Sequence, residues 1–348
     1  MGSEADKVDS PSSTNFITGQ IKVRDASKDI RLFNSYDNYA YENYLKAGNI
    51  NDNLKNENEM LNSIEIEIEG EVKRQRSYFY KFPKKGKYKI KYLFKNILTK
   101  TNYMFHSCNS LRKLNLSNFN TDNVIDMKSM FYDCKSLKSL DLSNFNTKNV
   151  TDMCSMFTYC KNITSLNLSN FNTENVTNMN CMFSGCISLI SLNLSNFNTK
   201  KVSDMGSMFY SCKSLTSLNL SNFNTENVIY MNSMFSYCKK LTSLNLSNFN
   251  TENVNNMNSM FSYCKKLINL NLSNFSFKEV ENNGGMFNYC NSLKKLVIPN
   301  TLNINLVENN DMFLGVEKLP EIVSLNSNIS SNSNNCYFGC FTKCCGNE

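Results

Sequence analysis

Cysteine returns at one fixed interval through most of this chain: Cys108, Cys134, Cys160, Cys186, Cys212, Cys238, Cys264 and Cys290 are each 26 residues from the next. Each closes a Met-Phe-x-x-Cys, as in Met130-Phe131-Tyr132-Asp133-Cys134, and a Leu-x-x-Leu-x-Leu follows at once, as in Leu137, Leu140 and Leu142. A constant period with constant apolar positions predicts a solenoid. Each repeat is one rung that buries its apolar face only against its neighbours. Equivalent cysteines then point the same way, one above another. Parallel Cβ vectors are poor disulfide geometry, so the row reads as buried, reduced thiols packed as small apolar residues.

Within a rung, Leu111, Leu114 and Leu116 alternate as a short strand does, ending at Phe119. Val124, Met127, Phe131 and Cys134 follow at spacings near three and four. That pattern predicts one face of a helical turn, capped by Asn120 or Thr121. The expected fold class is therefore an α/β solenoid with one short strand and one helical turn per rung. The Phe row Phe119, Phe145, Phe171, Phe197, Phe223, Phe249 and Phe275 is expected to stack inside it.

The ends differ. Residues 1–16 are polar and read as disordered, and residues 17–84 as a small β-rich unit in which Ile64-Glu65-Ile66-Glu67-Ile68-Glu69 alternates as a half-buried strand. A helical stretch is expected around Tyr39–Leu61. Tyr88, Ile90 and Leu93 lie 26 residues before Leu114, Leu116 and Phe119, so the solenoid is expected to span 85–325 with atypical first and last rungs. Residues 326–348 read as an Asn/Ser linker and a cysteine-rich tail, where Cys340, Cys344 and Cys345 are candidates for lipidation.

The repeated string Leu-x-x-Leu-x-Leu-Ser-Asn-Phe-Asn-Thr-x-x-Val-x-x-Met-x-x-Met-Phe-x-x-Cys resembles the leucine-rich repeats of the BspA-like bacterial and protist surface proteins, over roughly residues 85–325. The resemblance implies a leucine-rich-repeat fold and a role as an adhesin, surface antigen or other binding protein outside the cell. Residues 1–84 lie outside it.

Catalysis is not expected. His106 is the one histidine, and it aligns with Tyr132, Thr158, Ser184 and Tyr210, a variable position that reads as exposed. No metal site or cofactor is expected either, because the methionine and cysteine rows read as core. The row Asp122, Lys148, Glu174, Lys200, Glu226, Glu252 and Lys278 reads as an exposed ladder of ion pairs.

Binding surfaces are more legible. Outward strand positions repeat without change as Ser165/Asn167/Ser169, Ser191/Asn193/Ser195 and Ser217/Asn219/Ser221, a uniform polar face suited to a spacer or to a repetitive ligand such as a glycan. Charge is uneven. Thirteen Lys and Arg and no acidic residue lie between Glu71 and Asp122. Lys87, Lys89 and Lys91 should point outward beside Lys113, forming a basic edge unless Glu65, Glu67 and Glu69 pair across from them. A side row of Lys135, Lys161, Lys213, Lys239 and Lys265 reads as complementing the ends of the helical turns. The function read from these features is a non-enzymatic protein-interaction scaffold with a protein partner, acidic at the basic edge. A surface adhesin or antigen, binding glycans or itself, is the alternative. Nucleic acid is disfavoured because Tyr88 and Tyr92 fall on the face opposite the lysines. A membrane enters only through acylation of the tail. Residues 1–15 lack an apolar signal core, and Asn-Leu-Ser sequons recur inside the strands. Cytoplasmic location is therefore expected, with the cell surface as the alternative.

Overall fold

The computed structural model describes residues 15–43, 52–73, 77–299 and 312–324. The repeats stack as rungs, and the stacking force is visible in the backbone. The N–H groups of Met127, Ser129, Phe131 and Asp133 donate to the carbonyls of Asp152, Cys154, Met156 and Thr158 in the next rung, at 2.7–3.0 Å. The same pattern runs from the rung of Tyr103 to that of Tyr289. Parallel bridges join Asp126, Asp152, Asn178, Asp204, Tyr230, Asn256 and Asn282 in succession.

This overturns the helical turn. Among the described residues the repeats contain no helix. The Met-x-x-Met-Phe-x-x-Cys segment is a chain of tight turns, with Met130 N–H bonded to Met127 C=O and Cys134 N–H to Phe131 C=O. Ser129 and Asp133 adopt left-handed backbone, φ 54° and 56°, as the third residue of a type II turn requires. A helix would consume its N–H groups internally. The turns instead aim alternate N–H groups along the stack. The apolar spacing of three and four is common to both geometries, which is why periodicity chose the wrong one.

The strand side is looser than expected. β7 (Leu111–Asn118) and the parallel trio β8 (Asn269–Asn271), β9 (Lys295–Ile298) and β10 (Glu321–Ser324) pair as strands. Between them, the Leu-x-x-Leu-x-Leu segments meet through isolated bonds such as Ile190 N–H to Thr164 C=O, 3.1 Å. Side chains hold this side instead. Asn170 Nδ2 donates to the carbonyls of Leu142 and Phe145, and Asn196 to those of Leu168 and Phe171. Thr199 Oγ1 donates to Asn224 C=O at 2.7 Å and accepts from Asn224 N–H at 2.8 Å.

The core is continuous through the stack. The Phe197 row is buried as expected, but its neighbours sit 6.1–6.5 Å apart where rings meet. The tighter column is the Met-Phe row. Phe131, Phe157, Phe183, Phe209, Phe235, Phe261 and Phe287 stack at 5.7–5.8 Å and within 9° of parallel. The ladder thiols are buried and free, and they are also donors: Cys134 Sγ lies 3.0 Å from Phe105 C=O, and the relation recurs up to Cys290 and Phe261.

The N-terminal unit shares a sheet with the first rungs. β1 (Phe16–Val23) inserts antiparallel between β6 (Gly86–Phe94) and β7, in a sheet ordered β4-β3-β6-β1-β7 with β3 (Ile64–Ile68) and β4 (Glu71–Lys73). The first rung therefore stacks directly on the second only on its turn side, where Phe105 N–H reaches Met130 C=O. On the strand side, β1 wedges them apart. Inward residues of β6 are Ile90, Tyr92 and Phe94 rather than Leu93. The helical stretch is two short helices, α1 (Tyr36–Glu42) and α2 (Glu57–Ser63).

Candidate interaction surfaces

Ser165, Asn167, Ser169, Ser191, Asn193, Ser195, Ser217, Asn219 and Ser221 are all exposed, as read from the alternation. Their amides do not bond from rung to rung. Asn167, Asn193 and Asn219 each accept with Oδ1 from the N–H two residues on, at 3.0–3.1 Å. The face is a set of local turns with free hydroxyls, carried on the stack.

The basic edge is rearranged by the inserted strand. Lys87, Lys89 and Lys91 lie on β6 and Lys113 on β7, with β1 between them rather than side by side. Lys91 faces Glu67 at 3.9 Å and covers the Phe16 ring at 4.6 Å. Lys95 takes Glu65 at 2.6 Å. The Glu69 carboxylate accepts from Lys89 N–H. The cross-strand pairing thus neutralises one end of the edge and leaves the other. There β1 adds what local sequence reading missed. Lys22 is the registered partner of Lys87, and Gln20 sits between Lys89 and Lys113. Beside them Lys22, Arg24, Lys28 and Lys135 line a cleft of about 430 Å³. The acid that lines it, Asp25, is occupied by Ser27, whose N–H and hydroxyl hold its carboxyl below the usual range. Lys22 and Lys87 are more than sixty residues apart in sequence, so no window along the chain could have grouped them.

The lateral lysines have no helix ends to complement. Lys135 pairs with Asp133 at 2.9 Å, while Lys161, Lys239 and Lys265 lie 5.7–5.9 Å from the rings of Tyr159, Tyr237 and Tyr263. The expected Asp122-to-Lys278 ion-pair ladder is also absent among the described residues. Asp122 instead accepts from Asn146 Nδ2 at 2.7 Å.

His106 is buried, not exposed. Its ring stacks on Tyr132 at 4.6 Å and 4°, with Tyr39 at 4.8 Å and Tyr103 at 5.3 Å. Burial, then the nearby Arg31 charge, lowers its pKa to about 4, so the imidazole is neutral at pH 7. Its Nδ1 meets Ser107 Oγ at 3.0 Å. Cys108 is no nucleophile for it, because burial pushes that thiol up to about 12. Cys340, Cys344 and Cys345 lie outside the described residues. No helix of the described residues is long and apolar enough to cross a membrane.

A family model described as "Mycoplasma protein of unknown function, DUF285" matches residues 99–218 and 188–300, more than half of the chain. A solved leucine-rich repeat protein from Bacteroides ovatus is similar over 58% of this chain and 64% of its own, at 17% identity and a TM-score of 0.22. The chain thus spans under two thirds of that protein's length. No curated protein matches.

Proposed function

This chain belongs to the DUF285 family, and we propose that it is a non-enzymatic interaction scaffold, a BspA-like leucine-rich-repeat solenoid that presents a basic corner to an acidic protein partner. The observation that carries this is the registered pair Lys22 and Lys87 on adjacent strands. Like charges directly opposite destabilise a sheet, and Lys22 also lines a cleft with Arg24 and Lys28, against the one carboxylate of Asp25. A polyanion relieves that repulsion. The stack behind is a rigid spacer, its rungs bonded through backbone and through Asn and Thr side chains. The reading places the chain in the cytoplasm, where Asn-Leu-Ser sequons stay unmodified.

The adhesin reading keeps one support. The Ser hydroxyls of the exposed face recur at every middle rung, which suits a repetitive polar ligand or a second copy of the chain. Binding of poly-glutamate by the full chain across a salt series separates the two. The scaffold reading expects steep salt weakening and loss on charge reversal at Lys22 and Lys87. Binding that ignores both, and fails on substitution of Ser217 and Asn219, would place the interface on the polar face.

A further inference from the structure

The described stack ends open on its turn side. From rung to rung, the N–H groups at the positions of Phe287 and Tyr289 donate forward, here to the carbonyls of Met312 and Leu314. Phe313 and Gly315 hold those two positions in the last described turn, and their N–H groups meet no acceptor among the described residues. The core is open at the same place. Phe313 and Val316 are half-buried, whereas Phe287 and Cys290, one rung back, are 1% and 0% exposed. The Phe column stops there too, with one face of the Phe313 ring on Phe287 at 5.2 Å. Apolar surface and backbone donors thus lie open together, the situation that a terminal cap relieves in solenoids.

The chain beyond β10 holds a matching string. Tyr337-Phe338-Gly339-Cys340-Phe341-Thr342-Lys343-Cys344 has the frame of Met257-Asn258-Ser259-Met260-Phe261-Ser262-Tyr263-Cys264, with Phe-x-x-Cys kept and Cys340 in place of the second methionine. Gly339 falls on the position that is left-handed at Ser259 and Gly285, φ 56° and 62°, where glycine carries no steric penalty. The second left-handed position accepts Asp133 and Tyr159, so Lys343 is no obstacle there. The connection also suffices. Met312 follows Ile298 by 14 residues, and Cys340 follows Ser324, the strand partner of Ile298, by 16.

We propose that residues 337–344 dock on this end as a final turn of the stack. The carbonyls of Cys340 and Thr342 accept from Phe313 and Gly315 N–H, and the Phe341 ring extends the Phe column. Cys344 donates to Phe313 C=O and resumes the thiol row that Val316 interrupts. Cys345 then takes the position of Lys265, which is exposed. The occupant is this chain's own tail because the string is tethered to β10 by a connection only two residues longer than a rung uses. The inference withdraws Cys340 and Cys344 as lipidation candidates and leaves Cys345. It does not depend on the scaffold reading, since it uses none of the corner residues.

Two adjacent cysteines with opposite exposure make the test. The reduced full-length chain is treated briefly with iodoacetamide, and labelling of Cys344 and Cys345 is read by fragmentation mass spectrometry. Relative to the ratio in denaturant, Cys344 should react at least about tenfold more slowly than Cys345, since the thiolate is the reactive form and burial suppresses it. Gly339→Val puts a β-branched residue at the left-handed position and should bring Cys344 to the rate of Cys345 while Cys290 stays protected. Phe313→Ala should likewise expose Cys344. Equal reaction of the two thiols in the parent, or protection that survives Gly339→Val, would overturn the proposal. Protection lost on dilution would assign the open end to a second copy and overturn it as well.

Discussion

The thiol of Cys160 sits 3.0 Å from the carbonyl oxygen of Phe131 and donates back across one rung. The cysteine row is thus both filler and seam. Thiolate formation there would break the seam and place charge in the core, and burial holds these thiols well above their ordinary range. All eight ladder thiols should therefore resist a thiol reagent in the folded protein and react in denaturant without reductant. Cys160→Ala should cost on the order of 1–2 kcal/mol, the loss of a small side chain with a weak bond. Phe131 C=O still accepts Cys134 N–H afterwards. Peptides cross-linked between two ladder cysteines would sink this picture.

Phe197 is 2% exposed, whereas Ser195 two residues earlier faces solvent. Phe197→Ala should cost about 3–5 kcal/mol, and Ser195→Ala within about 0.5 kcal/mol. A denaturant melt measures both. Equal losses would contradict the assignment of inner and outer faces.

Thr199 exchanges two hydrogen bonds with the backbone of Asn224. Thr199→Val keeps the shape and removes both, leaving a part-buried N–H and C=O underserved. A loss on the order of 1–3 kcal/mol is expected, against little change for Thr216→Val on the exposed strand side. Chemical melts of the two variants, run together, test it.

Much of this was legible in the sequence, and the failures have a physical cause. The period located the rungs, and alternation placed Leu192 and Leu194 inside and Ser191, Asn193 and Ser195 outside. Apolar spacing could not tell a helical turn from linked type II turns, because both bring Met127, Phe131 and Cys134 to one side. The left-handed residues were a faint clue, since Ser155, Cys181, Ser207 and Ser233 hold a position that Gly285 also takes. The insertion of β1 between β6 and β7 left no trace in the repeat register, and the basic corner and the burial of His106 both depend on packing of the N-terminal unit against the first rungs.

Asp126 is buried, and its pKa is raised to about 6, chiefly by burial, with the Asp152 charge adding to it. A raised carboxylate favours folding while protonated, so this contribution is lost as pH rises from about 4 through 6. His106 acts oppositely. It is neutral in the fold down to about pH 4 and loses stability as pH falls below about 6.5, where the unfolded chain takes up a proton. The two trends mask each other in the parent protein. Asp126→Asn separates them, and Asn178, Asn256 and Asn282 already fill that row. The variant should gain on the order of 1–3 kcal/mol at pH 7 and little at pH 4. A loss of stability at pH 7 would show that the Asp126 charge is needed where it stands.

Lys87 and Lys22 face each other across β6 and β1, so Lys87→Glu turns a repulsive pair into an attractive one. If the corner is retained for binding, this variant should melt no lower than the parent while its affinity for poly-glutamate falls by about tenfold or more, in line with the worth of a charge-assisted contact. Lys91→Gln removes a lysine already engaged by Glu67 and Phe16, and it should leave that affinity within about twofold, as expected of a rim charge of little worth. Parent binding should also weaken steeply with added salt, since attraction between exposed charges fades beyond about 8 Å at physiological ionic strength. Normal binding by Lys87→Glu would strip the corner of its role, leaving Lys22 opposite Lys87 as a tolerated strain in the sheet.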